Sequence, residues 1–428
     1  MIVYKHSVSL DANKCKGCTT CLRRCPTQAI RVRDGKACIN PSLCIDCGEC
    51  IRQCPYKAKR ADFDDLDAID RGKYLIALPA PSLFGQFANL DDADYLLQGL
   101  LDYGFDDVYE VAKAAEIVTD YTRRFIRQSD AKKRPFISTA CPVVVRLVSL
   151  RFPSLRKKLV PVTPPIEVAG RLAKERAQKL HPELKEEDIK TVFISPCPAK
   201  VSWVKNTPAD KKCYIDYVVS MSDLYFRLLS KMDRQKTPEI VSESGVVGIG
   251  WAASGGEASA LMNDHYLAAD GIENIIRVLD EIETGHFPDL EFVEMNACPG
   301  GCVGGVMAVE NPYIARVRLQ TLRRYMPVMP NYLTDDPDTE IPEVMLATRP
   351  GEYSSAEILN ADRVKSFQML REIERIRKLL PGMDCGSCGA PTCLAHAEDI
   401  VKGESTLDDC IILMREHIQQ LEHDKGKV

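Results

Sequence analysis

The sequence predicts a central α/β module with parallel sheets flanked by helices, and a small cysteine-rich module on either side of it. Three segments support this fold class, because each has a polar start, an apolar β-like run and a final Cys-Pro pair. They are RPFISTACP, KTVFISPCP and LEFVEMNACP, which end at Pro142, Pro198 and Pro299. The stretches EVAGRLAKERAQKL and MSDLYFRLLSKM lie between them and have helical periodicity. Strands that alternate with helices are typical of parallel sheets.

Composition excludes several classes of protein. The chain has 428 residues, a net charge of −5, 45% apolar residues and 27% charged residues, which is typical of globular domains with an ample core. The acidic balance argues against binding to nucleic acid or to an anionic membrane surface. The first ten residues lack the features of a signal peptide, and no apolar run is long enough to span a membrane. We therefore expect a cytoplasmic location, where the 18 cysteines would serve as metal ligands instead of forming disulfides.

The cysteines divide the chain into three predicted domains, at residues 1–62, 72–340 and 355–428. Nine cysteines lie between Cys15 and Cys54, five between Cys141 and Cys302, and four between Cys385 and Cys410. A polar stretch at residues 57–73 and a Pro- and Asp-rich stretch at residues 326–344 separate these groups.

Two helices are predicted in the last domain. One follows Ser354 or Ser355 as its cap and stops before Pro381-Gly382. The other is the amphipathic stretch DDCIILMREHIQQLEHDKGKV, which would be either a partner-binding helix or a solvated terminal helix.

The N-terminal domain contains the pattern C-x2-C-x2-C-x3-C-P twice. Three closely spaced thiolates on a loop can bind three corners of an iron–sulfur cube, while the fourth cysteine binds the other cube. The expected ligands of one 4Fe–4S cluster are Cys15, Cys18, Cys21 and Cys54, and those of the second are Cys44, Cys47, Cys50 and Cys25. A zinc site is the alternative. The domain resembles the bacterial two-cluster ferredoxins, which implies a ferredoxin-like α+β fold. Cys38 belongs to neither set and is predicted to be a buried free thiol.

The central domain has its own set of four cysteines. Cys141, Cys197 and Cys298 each follow a predicted strand, and ligands of α/β folds bind beyond the carboxyl ends of the strands. Cys302 follows Cys298 in the glycine-rich stretch CPGGCVGG. Four converging thiolates would suit another 4Fe–4S cluster, whereas four unrelated buried cysteines are the alternative. Cys213 is unassigned and is predicted to be a buried thiol.

These three segments resemble the signature motifs of the catalytic domain of iron–iron (FeFe) hydrogenases. The resemblance implies an H-cluster, which is a 4Fe–4S cube joined to a di-iron unit with CO, cyanide and a bridging dithiolate. It further implies that Cys141, Cys197 and Cys298 bind the cube and that Cys302 bridges the cube and the di-iron unit. Glycines beside Cys302 would let the backbone approach this bulky cofactor.

Further matches lie outside the cysteines. Lys200 stands three residues after Cys197, where the family has a lysine that donates to a cyanide ligand. A surface lysine beside Trp203 is the alternative. The segment Ala80-Pro81-Ser82 resembles the one beside the bridging dithiolate, and Ser254-Gly255-Gly256 resembles a loop near the di-iron site.

Four positions of the expected active site depart from the family pattern. The cysteine that relays protons is replaced by Ala140, and the relay glutamate by Trp203. Two methionines are replaced by Ser195 and Asn296. Alanine cannot carry a proton, so the usual route is interrupted. Such losses resemble those of the sensory branch of the family, whose members are expected to turn over slowly and to report hydrogen.

Three carboxylic residues offer another proton route. They are Glu116, Asp120 and Glu294, and each would serve equally as a structural salt-bridge residue.

The C-terminal domain has the pattern C-x2-C-x4-C-x16-C, formed by Cys385, Cys388, Cys393 and Cys410. It resembles the single-cluster 4Fe–4S domains of corrinoid iron–sulfur proteins and is expected to be a small helical module. Structural zinc is the alternative. His396, on the helix after Cys393, is expected to have a packing role.

The sequence thus predicts reversible oxidation of H2 to protons and electrons at an H-cluster, with three further 4Fe–4S clusters as electron carriers. The implied partners are a redox protein such as ferredoxin, a signalling partner and the maturation proteins that build the di-iron unit. Two alternatives are a non-catalytic iron–sulfur protein of this fold, acting as an assembly scaffold or electron carrier, and a subunit of an electron-bifurcating hydrogenase.

Overall fold

The computed structural model describes residues 4–208, 211–232, 237–332, 340–347, 359 and 362–425. Contacts group the chain into two compact units. The first consists of Met1–Ile45, Glu49–Arg60 and Ser354–Val428, and the second of Asp46–Gly48 and Ala61–Tyr353. The two cysteine-rich ends of the chain therefore share one unit.

Strands and short helices alternate along most of the described chain. The strands are β1 Val8–Leu10, β2 Ile30–Arg33, β3 Lys36–Ile39, β4 Lys59–Ala61, β5 Tyr74–Pro79, β6 Asp107–Val108, β7 Phe136–Ile137, β8 Ile189–Ser195, β9 Tyr217–Ser220, β10 Tyr266–Asp270 and β11 Phe292–Asn296. The α-helices are α1 Thr20–Arg23, α2 Glu49–Arg52, α3 Asp94–Tyr103, α4 Val111–Gln128, α5 Pro142–Arg151, α6 Pro165–Leu180, α7 Pro198–Lys205, α8 Met221–Leu229, α9 Val246–Gly250, α10 Gly256–Ala260, α11 Ile272–Glu283, α12 Pro312–Arg323, α13 Arg363–Leu379, α14 Cys393–Val401 and α15 Ile411–Lys425. Short 3-10 helices include Pro81–Gln86 and Cys302–Gly304.

The second unit contains two parallel sheets. One has four strands in the order β6-β5-β8-β9, and the other has three in the order β10-β11-β7. Strands β5 and β8 are apolar and almost entirely buried, as expected for strands covered on both faces. Helices α4 and α6 pack against each other, and α6 contacts β5 and β8. The predicted α/β fold with parallel sheets flanked by helices is confirmed.

Strand ends carry the three Cys-Pro pairs of this unit. Cys141 follows β7 and Cys197 follows β8, and each is the N-cap of a helix whose first residue is proline. Proline suits that position because its missing N–H has no partner in the first helical turn. Cys298 follows β11, which lies beside β7 in the three-stranded sheet. The three cysteines therefore come from two sheets.

The N-terminal part of the first unit repeats itself with a period of 29 residues. Cys15 and Cys44 begin the two halves, and Cys25 and Cys54 end their cysteine patterns. The backbone repeats too, since Gln28 and Lys57, which are 29 positions apart, both have positive φ, of 55° and 49°. Strands β2 and β3 form an antiparallel hairpin, and β1 pairs with β4. This α+β arrangement fits the predicted ferredoxin-like module.

The C-terminal part of the first unit is helical. Helix α13 begins at Arg363, where the Asp362 side chain accepts from the N–H of Val364; the predicted caps Ser354 and Ser355 lie outside the described residues. The predicted terminal helix is α15, which begins at Ile411. Four of its apolar side chains, at heptad-like spacing, are exposed: Ile411, Met414, Ile418 and Leu421.

These C-terminal residues bind directly to the ferredoxin-like module. The N–H of Val32 donates to the carbonyl of Gly389 at 2.8 Å, and the buried carboxylate of Asp399 accepts from both Arg31 and Arg33. Gly389 has φ +81°, and a Cβ there would lie 2.0 Å from the carbonyl oxygen of Val32. Only glycine permits this close approach.

No helix in the described part of the chain is both long enough and apolar enough to cross a membrane.

Candidate active site

Four cysteines of the second unit come together where its strands end. Burial raises the pKa of the Cys197 thiol, and the neighbouring thiols of Cys298 and Cys141 raise it further. The pKa of Cys141 is likewise raised, by burial first and then by Cys302 among its neighbours. These pairwise effects, of Cys197 with Cys298 and Cys141 and of Cys141 with Cys302, connect the four cysteines into one group. Closely grouped, partly buried thiols without disulfides are a suitable donor set for an iron–sulfur cube.

The turn between Cys298 and Cys302 depends on glycine. Gly301 has φ +93°, and a Cβ there would lie 2.5 Å from the backbone nitrogen of Ser254. The N–H of Ser254 donates to the carbonyl of Gly300 at 3.0 Å, and the N–H of Val303 donates to Ala252 at 3.1 Å. The backbone at Ala252–Ser254 thus packs directly against the turn formed by residues 298–302. The glycines let two backbone segments approach each other, in addition to any role beside a cofactor.

Lys200 is directed toward the same turn. It lies on α7, and its Nζ donates to the Sγ of Cys302 at 3.6 Å. Burial disfavours its charge, but the thiols of Cys302, Cys197 and Cys141 outweigh burial and raise the pKa of Lys200 above its ordinary value. Lys200 therefore remains an ammonium group in a site of low polarity, where it can stabilise an anionic ligand.

A cavity of about 610 Å³, including the space at its mouth, opens beside Cys302 and Lys200. Most of its wall is apolar. Seven of the residues predicted for the active site line it: Ala80, Pro81, Ser82, Ala140, Lys200, Asn296 and Cys302. The first three lie where the 3-10 helix Pro81–Gln86 begins, directly after β5. Residues more than 200 positions apart in sequence thus share one cavity.

Two buried carboxyl groups, Glu257 and Glu294, also line this cavity. Burial raises the pKa of Glu257 well above the ordinary glutamate value, and the adjacent Glu294 raises it further. Burial raises the pKa of Glu294 as well, although hydrogen bonds from Ala258, Gly255 and Asn296 oppose that change. A raised pKa favours the protonated form of a carboxyl group, which can donate a proton.

Hydrogen bonds connect these carboxyl groups to the wall near Ala140. The hydroxyl of Ser138 donates to Glu257 Oε2 at 2.6 Å and accepts from the N–H of Ala140 at 3.2 Å. The side chain of Asn296 donates to Glu294 Oε1 at 2.6 Å. Ala140, which cannot carry a proton, is therefore hydrogen-bonded through its N–H to Ser138, and Ser138 is bonded in turn to the buried carboxyl of Glu257.

Four other predicted site residues lie near the cavity without lining it, among the described residues. Ser195 is fully buried, and its hydroxyl accepts from the N–H of Cys197 and donates to its carbonyl, so that it shapes the turn at this cysteine. The indole of Trp203 donates to Glu167 and lines a different pocket. Gly255 donates its N–H to Glu294, and Gly256 begins α10.

Two of the three candidate proton carriers have structural partners instead. Glu116 accepts from the N–H groups of Gly245 and Gly248, both at 2.9 Å, where α9 begins. Asp120 forms an ion pair with Arg124 at 2.7 Å on the same helix. Of the three, only Glu294 lines the cavity.

The first predicted cluster set surrounds a second cavity, of about 340 Å³, in the first unit. Its lining includes Cys15, Cys18, Cys21 and Cys54, together with the side chain of Lys59. Cys54 thus lies with three cysteines of the other half of the repeat. This agrees with the ferredoxin pattern, in which the fourth ligand comes from the other half. The N–H of Ala58 points at Cys54 Sγ from 3.2 Å, as amide groups commonly do around cluster sulfurs.

The second set of ferredoxin-type cysteines follows the same pattern along the chain. Cys25 follows α1 and has Ala29 N–H at 3.2 Å from its sulfur; Cys44 and Cys47 lie in the loop before α2, and Cys50 lies on α2. Burial raises the pKa of Cys50 to about 12.

The C-terminal cysteines are also grouped. Cys388 lies within electrostatic reach of Cys385 and Cys410, and Cys393 contacts the apolar cluster that contains Cys410. His396 is buried on α14, as its expected packing role requires.

The two unassigned cysteines differ from each other. Cys38 is exposed on β3, so the prediction of a buried thiol is wrong for this residue, because its side chain points outward from the β2–β3 hairpin. Cys213 is partly buried and donates to the carbonyl of Ile215.

A family model described as the iron-only hydrogenase large subunit, C-terminal domain, matches residues 73–267 and 257–306. These ranges together cover more than half of the chain. The chain belongs to the iron-only hydrogenase large-subunit family. A model for a 4Fe-4S dicluster domain matches residues 7–55, and a model for an Fe-S cluster matches residues 380–412. The protein is therefore an iron–sulfur protein with a hydrogenase-like domain, as the motifs predicted.

Solved structures support the fold of this family member. A variant of FeFe hydrogenase HydA1 from Chlamydomonas reinhardtii matches with a TM-score of 0.51 and 15% identity, over 68% of this chain and 97% of that one. An apo form of another HydA1 variant matches with a TM-score of 0.50, also at 15% identity, over 68% of this chain and 97% of that one.

Two curated relatives match short stretches of the chain, so this chain spans well under two thirds of their length. The corrinoid/iron-sulfur protein large subunit of Moorella thermoacetica is 51% identical over 35 residues, which are 8% of each chain. An uncharacterized protein of Methanocaldococcus jannaschii is 37% identical over 49 residues, which are 11% of this chain and 22% of that one.

Sequence reasoning missed two residues of the cavity system, Glu257 and Ser138. Glu257 directly follows the Ser254-Gly255-Gly256 segment that resembles the family, and Ser138 lies within the segment RPFISTACP that ends at Cys141-Pro142. Their proximity in sequence to these motifs was the one feature that could have identified them as site residues. Their burial and their mutual hydrogen bond could not be inferred from the sequence.

Proposed function

We propose that this family member is an FeFe hydrogenase that interconverts H2 with protons and electrons, slowly, and that it reports hydrogen. One observation supports this proposal most strongly: a largely apolar cavity lies against Cys302 and the ammonium of Lys200. The residues present suit an H-cluster there. Cys141, Cys197, Cys298 and Cys302 offer four thiolates, Lys200 offers a buried cation for an anionic ligand, and the adjoining cavity offers space.

The H-cluster would supply the cleavage of H2 and the acceptance of two electrons. The protein's own contribution begins with Lys200, whose ammonium would orient a cyanide ligand by a charge-assisted hydrogen bond. The apolar residues around the cavity, among them Ala80, Pro81 and Phe193, would exclude water from this bond. The bond to Cys302 already holds the lysine in place.

Proton transfer is assigned to the buried acids. With Ala140 in the usual relay position, the carboxyl groups on the cavity wall that could carry a proton are those of Glu257 and Glu294. Their raised pKa values let at least one of them keep a proton at neutral pH. Ser138 extends this pair toward Ala140 by hydrogen bonding to Glu257. A route through two buried acids in place of a cysteine would be compatible with slow turnover.

Electron transfer is assigned to the 4Fe–4S clusters of the first unit. The C-terminal cluster loop meets the ferredoxin-like module through ligand-bearing segments: Arg23 donates to the carbonyl of Cys385 at 3.0 Å, and Arg33 donates to that of Cys388 at 3.2 Å. Arg23 itself lies between Cys21 and Cys25. This continuity supports a path that includes the C-terminal cluster, with a ferredoxin-type protein as external electron partner and a separate protein as reader of the hydrogen signal.

A non-catalytic iron–sulfur role is the rival function, and Ala140 favours it. This residue lines the cavity and cannot carry a proton. A protein that had lost hydrogen chemistry would no longer need a proton carrier at this position. Lys200 favours the hydrogenase, because its ammonium lines the cavity beside Cys302, where the anionic ligands of a di-iron unit would lie.

Infrared spectroscopy separates the two functions. The protein, purified anaerobically and loaded with the di-iron unit by its maturation proteins, is measured under argon and then under H2. CO and cyanide bands that shift on exchange of the gas support the hydrogenase. A sample with its full iron complement but no such bands would establish the non-catalytic alternative.

A further inference from the structure

The two halves of the ferredoxin-like module differ at one buried position. Ile30 and Lys59 are 29 residues apart and are therefore equivalent in the repeat, each lying five residues after the last cysteine of its half. Ile30 begins β2 and is 2% exposed, whereas Lys59 begins β4 and is 3% exposed. The first half thus places an apolar side chain where the second places an ammonium group. A lysine in a core position is unusual unless it has a partner.

Lys59 has no hydrogen-bond partner among the described residues. Its Nζ is shielded from solvent and makes no hydrogen bond within the described ranges. A buried cation that is neither paired nor hydrogen-bonded is strongly disfavoured. The buried ammonium of Lys59 therefore requires a neighbouring anion. No carboxylate among the described residues forms a hydrogen bond with it, so the anion must be of another kind.

The surroundings of Lys59 indicate which anion this is. Lys59 lines the cavity whose other lining residues include Cys15, Cys18, Cys21 and Cys54. Lys59 also lies within electrostatic reach of both Cys21 and Cys50, which belong to different predicted clusters. A 4Fe–4S cube with four thiolate ligands is an anion, and one-electron reduction adds one further negative charge to it.

We propose that Lys59 compensates the charge of the 4Fe–4S cluster bound by Cys15, Cys18, Cys21 and Cys54 and raises the reduction potential of that cluster. Because the ammonium is attracted more strongly to the reduced cube, it favours uptake of the electron. The electron comes from H2 oxidation in the proposed function and from dithionite in the experiment below. Ile30 provides no such charge in the other half, so the two ferredoxin-type clusters become unequal electron carriers.

Potentiometric titration of the full-length protein, followed by electron paramagnetic resonance, tests this proposal. The variants are Lys59→Met, which keeps the length of the side chain, and Lys59→Ile, which installs the residue of the first half. At the wild-type midpoint of the cluster, we expect the ratio of reduced to oxidised cluster to fall at least tenfold, which is about 59 mV for a one-electron couple. The reduction potentials of the other clusters should change less.

Two control variants accompany these. Lys59→Arg keeps the positive charge and should retain the wild-type reduction potential. Lys57→Met removes the same charge from an exposed neighbour and should leave the reduction potential unchanged.

The proposal depends on the proposed cluster ligands, and the same experiment tests both. A Cys18→Ser variant identifies the signal of the relevant cluster. If the wild-type protein shows no 4Fe–4S signal that responds to Cys18→Ser, the cluster assignment and the role of Lys59 both fail. If the signal is present and the iron content of Lys59→Met and Lys59→Ile is full, but the potentials are unshifted, only the role of Lys59 is overturned.

Discussion

The Nζ of Lys200 lies 3.6 Å from the Sγ of Cys302, although the two residues are 102 positions apart in sequence. The lysine comes from the helix after β8, and the cysteine from the glycine turn after β11. One contact on the cavity wall therefore joins segments that follow strands of the two different sheets.

Lys200→Met should weaken retention of the di-iron unit and shift its cyanide bands. A hydrogen bond to a charged group contributes about 1.5–3 kcal/mol, which corresponds to roughly ten- to a hundredfold in affinity. The bands are measured by infrared spectroscopy after maturation, with iron content as a check on the cubes. Lys205→Met is the matched control, since Lys205 is exposed on the same helix. Unchanged bands in Lys200→Met would contradict the role given to this lysine.

Gly301→Ala should destabilise the hydrogenase-like unit more than Gly285→Ala does. Both glycines have positive φ, of 93° and 82°, but a Cβ at Gly301 meets Ser254 whereas one at Gly285 meets nothing within 4 Å. A positive φ strains the backbone of both variants by about 1–3 kcal/mol. The strain is greater in Gly301→Ala, because φ +93° with ψ −155° is essentially limited to glycine, and the clash adds about 1–3 kcal/mol there. Thermal unfolding of the protein before di-iron insertion measures the difference. Equal midpoints for the two variants would mean that the turn relaxes freely.

Glu257 should be protonated at neutral pH, because burial and Glu294 raise its pKa well above the ordinary value of 4.5. Difference infrared spectroscopy should detect a carboxylic acid C=O band that shifts in D2O, and Glu257→Gln should abolish it. The folded state holds this proton more tightly than the unfolded state does, so its contribution to stability is full below pH 4.5 and is lost as the pH rises through the folded pKa.

Glu257→Gln should also slow H2-dependent dye reduction by about 10²–10⁴-fold, the usual contribution of a positioned proton carrier. Glu116→Gln is the comparison, since Glu116 is buried but lies away from the cavity. A carboxyl band that survives Glu257→Gln, or unchanged activity, would assign proton transfer to other groups.

Asp399→Asn should loosen the C-terminal cluster module from the ferredoxin-like module. The carboxylate is 2% exposed, whereas Arg31 and Arg33 are 17% and 28% exposed. We therefore expect a loss of about 2–3 kcal/mol, below the value for a fully buried pair. Denaturation followed by cluster absorbance measures it, and limited proteolysis should cut the variant faster between the modules. Asp408→Asn, at an exposed carboxylate nearby, should behave as wild type.

Local sequence patterns were sufficient for much of the fold. A strand precedes each of Cys141, Cys197 and Cys298, as predicted. The prediction was possible because short apolar runs between helical segments are typical of the strands of an α/β fold. The helices over residues 165–180 and 221–229 follow from their periodicity in the same way. The sequence did not show that β8 belongs to a different sheet from β7 and β11, since strand order depends on long-range packing.

The finer features of the sites depended on contacts between distant residues. Trp203 was predicted at the site by its spacing from Lys200, but its indole binds Glu167, 36 positions away. The burial of Lys59 is invisible in a stretch as polar as KAKRAD, and the exposure of Cys38 depends on which face of a short hairpin is covered. The hydrogen-bond partner of Trp203, the burial of Lys59 and the exposure of Cys38 all depend on tertiary packing, which cannot be read from local patterns in one sequence.

The joining of Asp399 to Arg31 and Arg33 has a consequence for the order in which the protein matures. The ribosome synthesises both arginines more than 350 residues before Asp399, so the newly made ferredoxin-like module first exists without its C-terminal neighbour. Its cysteines are available during this interval, whereas the segment from Cys385 to Cys410 can dock only after it has been synthesised as well. Vectorial translation thus sets an order for maturation, in which the two predicted ferredoxin-type clusters can be assembled before the predicted C-terminal one.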